Sequence, residues 1–174
     1  MKNWLTAATI AASIGAATLA SAQYSSSIGD VTASGFDIRI GFAYSLDNNL
    51  RDVANTLIGF GIDYNLPPLL KGSTTFLSGD VLAKSGSGGH GNAFPICLNE
   101  RFSFGTSRYG GTYFFVGAGA FITDVTSTNT VLGARGGFGV NLGPNIFTEA
   151  TATLSLPTNN YRIDTIGLYV GYKF

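Results

Sequence analysis

The sequence is poor in charge and nearly free of cysteine, histidine and tryptophan. Charged residues make up 11% of the 174 residues, against about 25% in typical soluble domains. Ten basic residues against ten acidic ones leave no basic surface of the kind that binds nucleic acid. The single cysteine, Cys97, cannot form an internal disulfide. The composition therefore excludes a nucleic-acid-binding protein and a disulfide-stapled fold.

Long apolar runs are also missing, except at the N-terminus. A short positive start is followed by an apolar stretch up to Leu19 and by Ala20-Ser21-Ala22, the small-x-small pattern of a signal-peptide cleavage site. The stretch of about 16 apolar residues is short for a transmembrane helix, although an uncleaved membrane helix is the alternative. We predict a signal peptide over residues 1–22, recognised at Ala20 and Ala22. The remaining 152 residues (174 − 22) have the size of one domain.

The mature chain consists largely of short segments in which large apolar residues alternate with small or polar ones. The clearest is the C-terminal segment, where Leu168, Val170, Tyr172 and Phe174 alternate with Gly, Tyr, Gly and Lys. Successive side chains of a strand point to opposite faces, so one face of this segment is apolar. Such a strand at a free C-terminus would be a sticky edge in water. It fits the closing strand of a barrel with lipid outside and a wet interior.

Eight segments are predicted as strands, an even number, as bacterial single-chain barrels require. They cover residues 36–44, 58–64, 74–84, 93–104, 112–123, 130–142, 146–156 and the C-terminal segment. Because Trp4 is the only tryptophan and lies in the predicted signal peptide, the aromatic belts of such a barrel are expected to consist of Tyr and Phe.

Three details of this pattern are less regular. Residues 45–54 are predicted as a polar loop, and Glu100 breaks the alternation of the fourth strand, which favours a β-bulge. The facing of the third and fifth strands stays open. The third fits best with Leu77, Val81 and Ala83 outward and Asp80 inward, whereas the fifth is apolar on both faces.

Side chains of the predicted interior face include charged residues of both signs. They are Asp37, Arg39, Asp63, Arg101, Arg135, Glu149 and Lys173. An eight-stranded barrel is just wide enough for side chains to fill it, and an unpaired charge in a poorly hydrated interior is costly. The sequence therefore predicts an ion-paired core that largely fills the lumen.

The alternative is a narrow pore for ions or very small solutes, lined by the same charges. Inward-facing glycines leave space and so favour the pore, although they also permit strand bending. These glycines are Gly41, Gly59, Gly61, Gly133, Gly137, Gly139 and Gly171.

A lipid-modifying outer-membrane enzyme centred on His90 is the third hypothesis. Its site would need a serine nucleophile, a histidine base and a carboxylate near the outer rim, where Ser85, Ser87 and Asp124 are expected. His90 lies in a Gly-rich loop, which would fix a base poorly. We therefore predict no enzymatic activity, and no metal or cofactor.

Residues 33–174 resemble the small outer-membrane barrels of the OmpA/OmpX-like, porin-family group, through the Phe174 ending and the Gly-rich hairpin Gly133–Glu149. The resemblance implies an all-β fold: an eight-stranded antiparallel up-and-down transmembrane β-barrel in the outer membrane of a Gram-negative-type bacterium. Residues 23–32 would form a short N-terminal periplasmic segment, and both barrel ends of the chain would lie in the periplasm.

The same resemblance implies a non-catalytic protein with a structural or surface-interaction role. The implied partners are outer-membrane lipid, lipopolysaccharide and the barrel-assembly machinery, which would recognise Leu168, Val170, Tyr172 and Phe174 as an assembly signal. It names no ligand for the external loops and no oligomeric state.

Overall fold

Alternation of apolar and polar residues produces eight strands, which close into one barrel. The computed structural model describes residues 35–84, 91–104, 111–125 and 127–174. The strands are β1 (Phe36–Ser45), β2 (Thr56–Leu66), β3 (Thr74–Lys84), β4 (Asn92–Phe104), β5 (Thr112–Asp124), β6 (Thr128–Asn141), β7 (Ile146–Ser155) and β8 (Thr165–Lys173).

Each strand pairs antiparallel with the next, and β1 pairs with β8 to close the sheet. Ile40 of β1, for example, faces Phe60 of β2 on one side and Val170 of β8 on the other. The predicted fold class, an eight-stranded antiparallel up-and-down barrel, is confirmed. Closure leaves no unpaired sheet edge, so the apolar outer face meets its surroundings without exposed backbone edges.

Outer and inner faces follow the alternation. Ile40, Phe42, Leu132, Leu168 and Val170 are among the exposed outer residues, whereas the residues between them on the same strands face inward. The structure also resolves the two ambiguous strands. In β3, Phe76, Ser78, Asp80 and Leu82 are the buried inner residues, and in β5 the inner residues include Tyr113, Phe115 and Phe121.

The two ends of the barrel differ. The turn end carries the β2–β3, β4–β5 and β6–β7 connections together with Phe36 and Phe174, and the loop end carries the other connections. Aromatic rings cluster on the outer wall of the turn end. The ring centroids of Phe36 and Phe174 are 4.5 Å apart, and those of Phe102 and Phe114 are 4.9 Å apart. Phe side chains thus supply an aromatic belt at this end.

The predicted polar loop over residues 45–54 contains a short helix, α1 (Asn48–Val53). Its N-cap is Asp47, whose carboxylate accepts a hydrogen bond of 2.8 Å from the backbone N–H of Leu50. Leu50 is only 1% exposed and packs into the apolar cluster at the loop end. The loop prediction was wrong here because six residues with one buried leucine give no helical periodicity.

No helix among the described residues is long and apolar enough to cross a membrane.

The bulge predicted at Glu100 is also wrong. Pairing continues through this residue on both sides, opposite Thr75 of β3 and Val116 of β5. Glu100 stays in the outward register, and its carboxylate accepts hydrogen bonds from the backbone N–H of Leu70 in the β2–β3 turn and from the Thr75 hydroxyl of β3. The β3–β4 ladder is interrupted elsewhere, next to Pro95, which has no N–H to donate.

Candidate functional site

A chain of ion pairs crosses the middle of the barrel. Arg39 of β1 pairs with Asp63 of β2 and donates from Nη2 to Asp80 Oδ1 of β3 at 2.6 Å. Arg135 of β6 donates to Asp80 Oδ2 at 2.8 Å and to Glu149 Oε1 of β7 at 3.1 Å. Since β3 and β6 are not neighbours in the sheet, the Asp80–Arg135 contact spans the lumen.

Asp80 is the central member of this chain, and it was missing from the predicted set of interior charges. Each of its carboxylate oxygens accepts a hydrogen bond from a different arginine. Its addition also balances the named charges. The acids become Asp37, Asp63, Asp80 and Glu149, and the bases are Arg39, Arg101, Arg135 and Lys173. The signal in the sequence was the inward position of Asp80 in the better-fitting register of β3.

A second group of charges lies toward the turn end among aromatic rings. The guanidinium carbon of Arg101 lies 4.5 Å from the centroid of the Phe76 ring and 4.9 Å from that of Tyr113. Its Nη2 is 3.5 Å from Asp37 Oδ2 and 3.8 Å from an oxygen of Asp63. Contact with aromatic faces stabilises a cation that has left water. Asp63 thereby links this group to the ion-pair chain.

Lys173 occupies the turn end of the same interior. Its Nζ donates a hydrogen bond of 2.8 Å to Asn141 Oδ1 and lies 5.6 Å from the centroid of the Phe147 ring. Lys173 Nζ also lies 5.8 Å from the centroid of the Tyr113 ring, whose hydroxyl donates to Glu149 Oε2 at 3.0 Å. All seven charges predicted for the interior face it. Ion pairs join six of them, all but Lys173, to one another through Asp80 and Asp63.

The inward glycines do not leave open space at most of these positions, because neighbouring aromatic rings occupy it. A Cβ added at Gly59 would lie 2.5 Å from Tyr169 Cε1, and one at Gly137 would lie 2.5 Å from Phe115 Cε1. The same close approach joins Gly133 to Phe121, Gly139 to Tyr113 and Gly171 to Phe147. At these positions the glycines accommodate neighbouring rings, so they supply little of the space that the pore hypothesis assigned to them. A side chain at these positions would collide with a ring, and glycines of this kind also permit the twist and curvature of barrel strands.

An apolar layer lies in the interior of the barrel on the loop-end side of the ion pairs. Its buried members include Leu50, Leu57, Phe121, Tyr161 and Ile163. Thr123 Oγ1 and the Tyr161 hydroxyl lie 3.1 Å apart and share a hydrogen bond. From the turn end to the loop end, the interior thus passes from aromatic rings with cations, through ion pairs, to an apolar cluster.

Several predicted features lie outside the described residues. They are the signal peptide with Ala20 and Ala22, residues 23–32, and the loop residues Ser85, Ser87 and His90. Within the described part of the chain, no three His, Cys, Asp or Glu side chains are grouped so that they could hold a metal ion. Cys97 is a buried free thiol on the inner face of β4.

Comparisons with known proteins find no matching protein-family model and no matching curated sequence. Among solved structures, the chain is similar to the N-terminal β-barrel domain of Pseudomonas aeruginosa OprF. The two are 19% identical with a TM-score of 0.51, and the match covers 81% of this chain and 98% of that one.

Two further solved structures are similar. Ail, the attachment invasion locus protein of Yersinia pestis, is 19% identical with a TM-score of 0.49, over 82% of this chain and all of Ail (100%). Neisserial surface protein A is 13% identical with a TM-score of 0.49, over 80% of this chain and 95% of that one. At these identities the likeness concerns the fold. The closed eight-stranded topology and the likeness to the OprF domain show that the chain has the fold of the small bacterial outer-membrane β-barrels that its sequence resembles.

Proposed function

We propose that this protein is a non-catalytic integral outer-membrane barrel with a structural or surface-interaction role, and that its ion-paired, largely filled interior stabilises the barrel. One observation carries the proposal: the chain of ion pairs Asp63–Arg39–Asp80–Arg135–Glu149, which runs from one wall of the barrel to the other. Buried charges in a lumen of this width are stabilising only when they are paired and hydrogen-bonded.

The layers on either side of the ion pairs support a filled lumen. Toward the turn end, the rings of Phe76, Phe115, Tyr113 and Phe147 are buried together. Toward the loop end, the apolar layer around Leu50 and Phe121 covers the ion pairs. An ion would have to displace side chains at all three levels to pass, which disfavours the narrow-pore alternative.

An Arg135→Ala substitution separates the two functions. A packed network predicts a less stable barrel that still passes no current, because the neighbouring rings and arginines keep the lumen occupied. A pore lined by charges predicts a barrel of similar stability whose single-channel conductance rises or changes its ion selectivity. An Arg135→Ala barrel of unchanged stability and raised conductance would contradict the proposal.

We further propose that the turn end lies on the periplasmic side and that the barrel-assembly machinery recognises the C-terminal strand. Phe174 is exposed on the outer wall, where its ring stacks on Phe36, and Tyr172 contacts it at 4.9 Å between ring centroids. An exposed aromatic cluster at the last strand offers a surface that the machinery can bind before insertion.

Replacing Phe174 with Ala is expected to lower the amount of folded barrel recovered from the outer membrane of cells. Spontaneous refolding of the same variant into detergent micelles should be much less affected. An equal loss in both assays would instead assign Phe174 to the stability of the barrel itself.

A further inference from the structure

Thr75 is buried although its position on β3 faces outward. It pairs with Glu100 of β4, and both residues belong to the outer rows of their strands, since the neighbouring pair Phe76–Asn99 points inward. Val116, the next residue in the outer row beside Glu100, is 54% exposed. Thr75, by contrast, is 1% exposed, and Ser73 is 8% exposed. Something on the outside of the barrel therefore covers this part of the wall.

The cover is the β2–β3 turn, which we define as residues 67–73. The backbone N–H of Leu69 donates to Thr75 Oγ1 at 2.7 Å, and that of Leu70 donates to Glu100 Oε1 at 3.2 Å. The Thr75 hydroxyl donates to Glu100 Oε2 at 2.7 Å, and the Ser73 hydroxyl contacts Oε1 of the same carboxylate. One outward-facing carboxylate thus holds the turn against the outer wall.

This arrangement places two exposed leucines beside the outer wall of the barrel. Leu69 is 70% exposed and Leu70 is 54% exposed. Glu100 lies in the outer row of β4 between Leu98 and Phe102, so the turn adjoins the apolar belt directly. Apolar residues at a turn tip are unusual, since turns are typically built from polar residues and glycine.

We propose that the β2–β3 turn is a membrane-interface anchor. Leu69 and Leu70 insert into the boundary between headgroups and acyl chains of the leaflet at the turn end, and the exposed Lys71 lies at the level of the lipid phosphates. Interfacial membrane anchors typically combine apolar side chains that enter the membrane with a nearby basic side chain that stays at the headgroups, and this turn has the same combination. The anchor's occupant is thus phospholipid, and the inference rests on the proposed location of the barrel in a membrane.

Fluorescent probes at three positions test the anchor. Single cysteines replace Leu70 in the turn, Leu168 on the outer wall of β8 and Pro144 in the exposed β6–β7 turn at the same end. Each full-length variant is folded into phosphatidylethanolamine–phosphatidylglycerol vesicles and labelled with an environment-sensitive dye. Cys97 is buried, and the unsubstituted protein measures its background labelling. Quenching by phospholipids with nitroxides at shallow or deep positions reports the depth of each probe.

The anchor predicts blue-shifted emission at position 70 and strongest quenching by the shallow nitroxide. Position 168 should be quenched most by the deep nitroxide, and position 144 should behave as in water. Water-like emission at position 70 with lipid-like emission at position 168 would overturn the anchor and leave the membrane barrel intact. Water-like emission at both positions would contradict the anchor and the proposed function together.

The hydrogen bonds of Glu100 and Thr75 with the β2–β3 turn are called the carboxylate clamp. Glu100→Gln and Thr75→Val test whether this clamp sets the depth of the turn in the membrane. In folded variants, verified by a heat-dependent gel shift, the probe at position 70 should move toward water, whereas the probe at position 168 should not move. An unchanged depth at position 70 in both variants would overturn the role of the clamp.

Discussion

Asp80 holds two arginines from opposite walls of the barrel, one on each carboxylate oxygen. The energetic consequence is that the interior charges are mutually dependent. Removing one partner of a buried pair leaves the other charge uncompensated in a poorly hydrated place, which costs about 3–5 kcal/mol of stability. Removing an exposed partner costs about 0–1 kcal/mol, because water replaces it.

Arg135→Ala is therefore expected to lower the free energy of unfolding by about 3–5 kcal/mol, since it leaves Glu149 without its arginine and Asp80 with Arg39 alone. The matched control is Arg162→Ala. Arg162 pairs with Asp164 at 3.2 Å, but its side chain is 48% exposed, so a loss below about 1 kcal/mol is expected. The free energies of unfolding of both variants are measured by guanidinium denaturation in lipid vesicles, followed by tyrosine fluorescence. Equal losses would contradict a special role for the interior network.

The glycines beside aromatic rings supply a second test at this scale. An added Cβ at Gly137 would lie 2.6 Å from both Phe115 Cζ and the carbonyl oxygen of Ala150, so Gly137→Ala is expected to cost about 1–3 kcal/mol through overpacking. Gly79 on the outer wall has no atom within 4 Å of its added Cβ. Gly79→Ala should be neutral or slightly stabilising. The denaturation midpoints of the two variants are compared. A Gly137→Ala barrel with an unchanged midpoint would show that the Phe115 ring can move aside.

Residue facing was predictable where apolar residues alternate strongly, as in β1 and β8. Asp80 was harder to place, because the Thr, Ser and Gly residues of β3 give little contrast between faces. A bulge is the prediction at Glu100 because a charge in an outward register is costly. The hydrogen-bond donors to its carboxylate include a turn about thirty residues earlier in the chain. The local sequence pattern does not show such distant partners.

At the scale of elements, α1 closes the loop end with Leu50 directed into the apolar layer. The helix is too short to be stable alone, so its cap and its buried leucine hold it in place. Sequence periodicity predicted every strand, since a period of two is visible over ten residues, but a six-residue helix covers fewer than two turns.

Asp47→Ala removes the cap of α1 and should cost about 1 kcal/mol of local stability. We expect amide hydrogen exchange to become about five-fold faster for Leu50–Ala54, because 1.4 kcal/mol corresponds to a factor of ten. Exchange in the strands should not change. Asp52→Ala, an exposed substitution in the same helix, is the control. Faster exchange in both variants would show that the net charge of the helix, and not the cap, determines its stability.

At the scale of the whole molecule, the barrel combines an apolar outer wall with an interior in three layers. Apolar, charged and aromatic layers succeed one another between the loop end and the turn end. The outer wall follows from alternation alone, and the sequence predicted it. The interior layers depend on which side chains from non-adjacent strands meet, as in the contact of β3 with β6, and strand pattern carries no information about that.

The most direct test of a filled, ion-paired interior is single-channel recording. The protein is folded into planar bilayers, and a heat-dependent gel shift first establishes that the barrel has formed. The proposed filled interior predicts no discrete current steps across the applied voltages, because side chains at three levels would block the lumen. Reproducible steps from a folded barrel, with a conductance that changes in Arg135→Ala, would contradict this account and make the interior charges the lining of a pore.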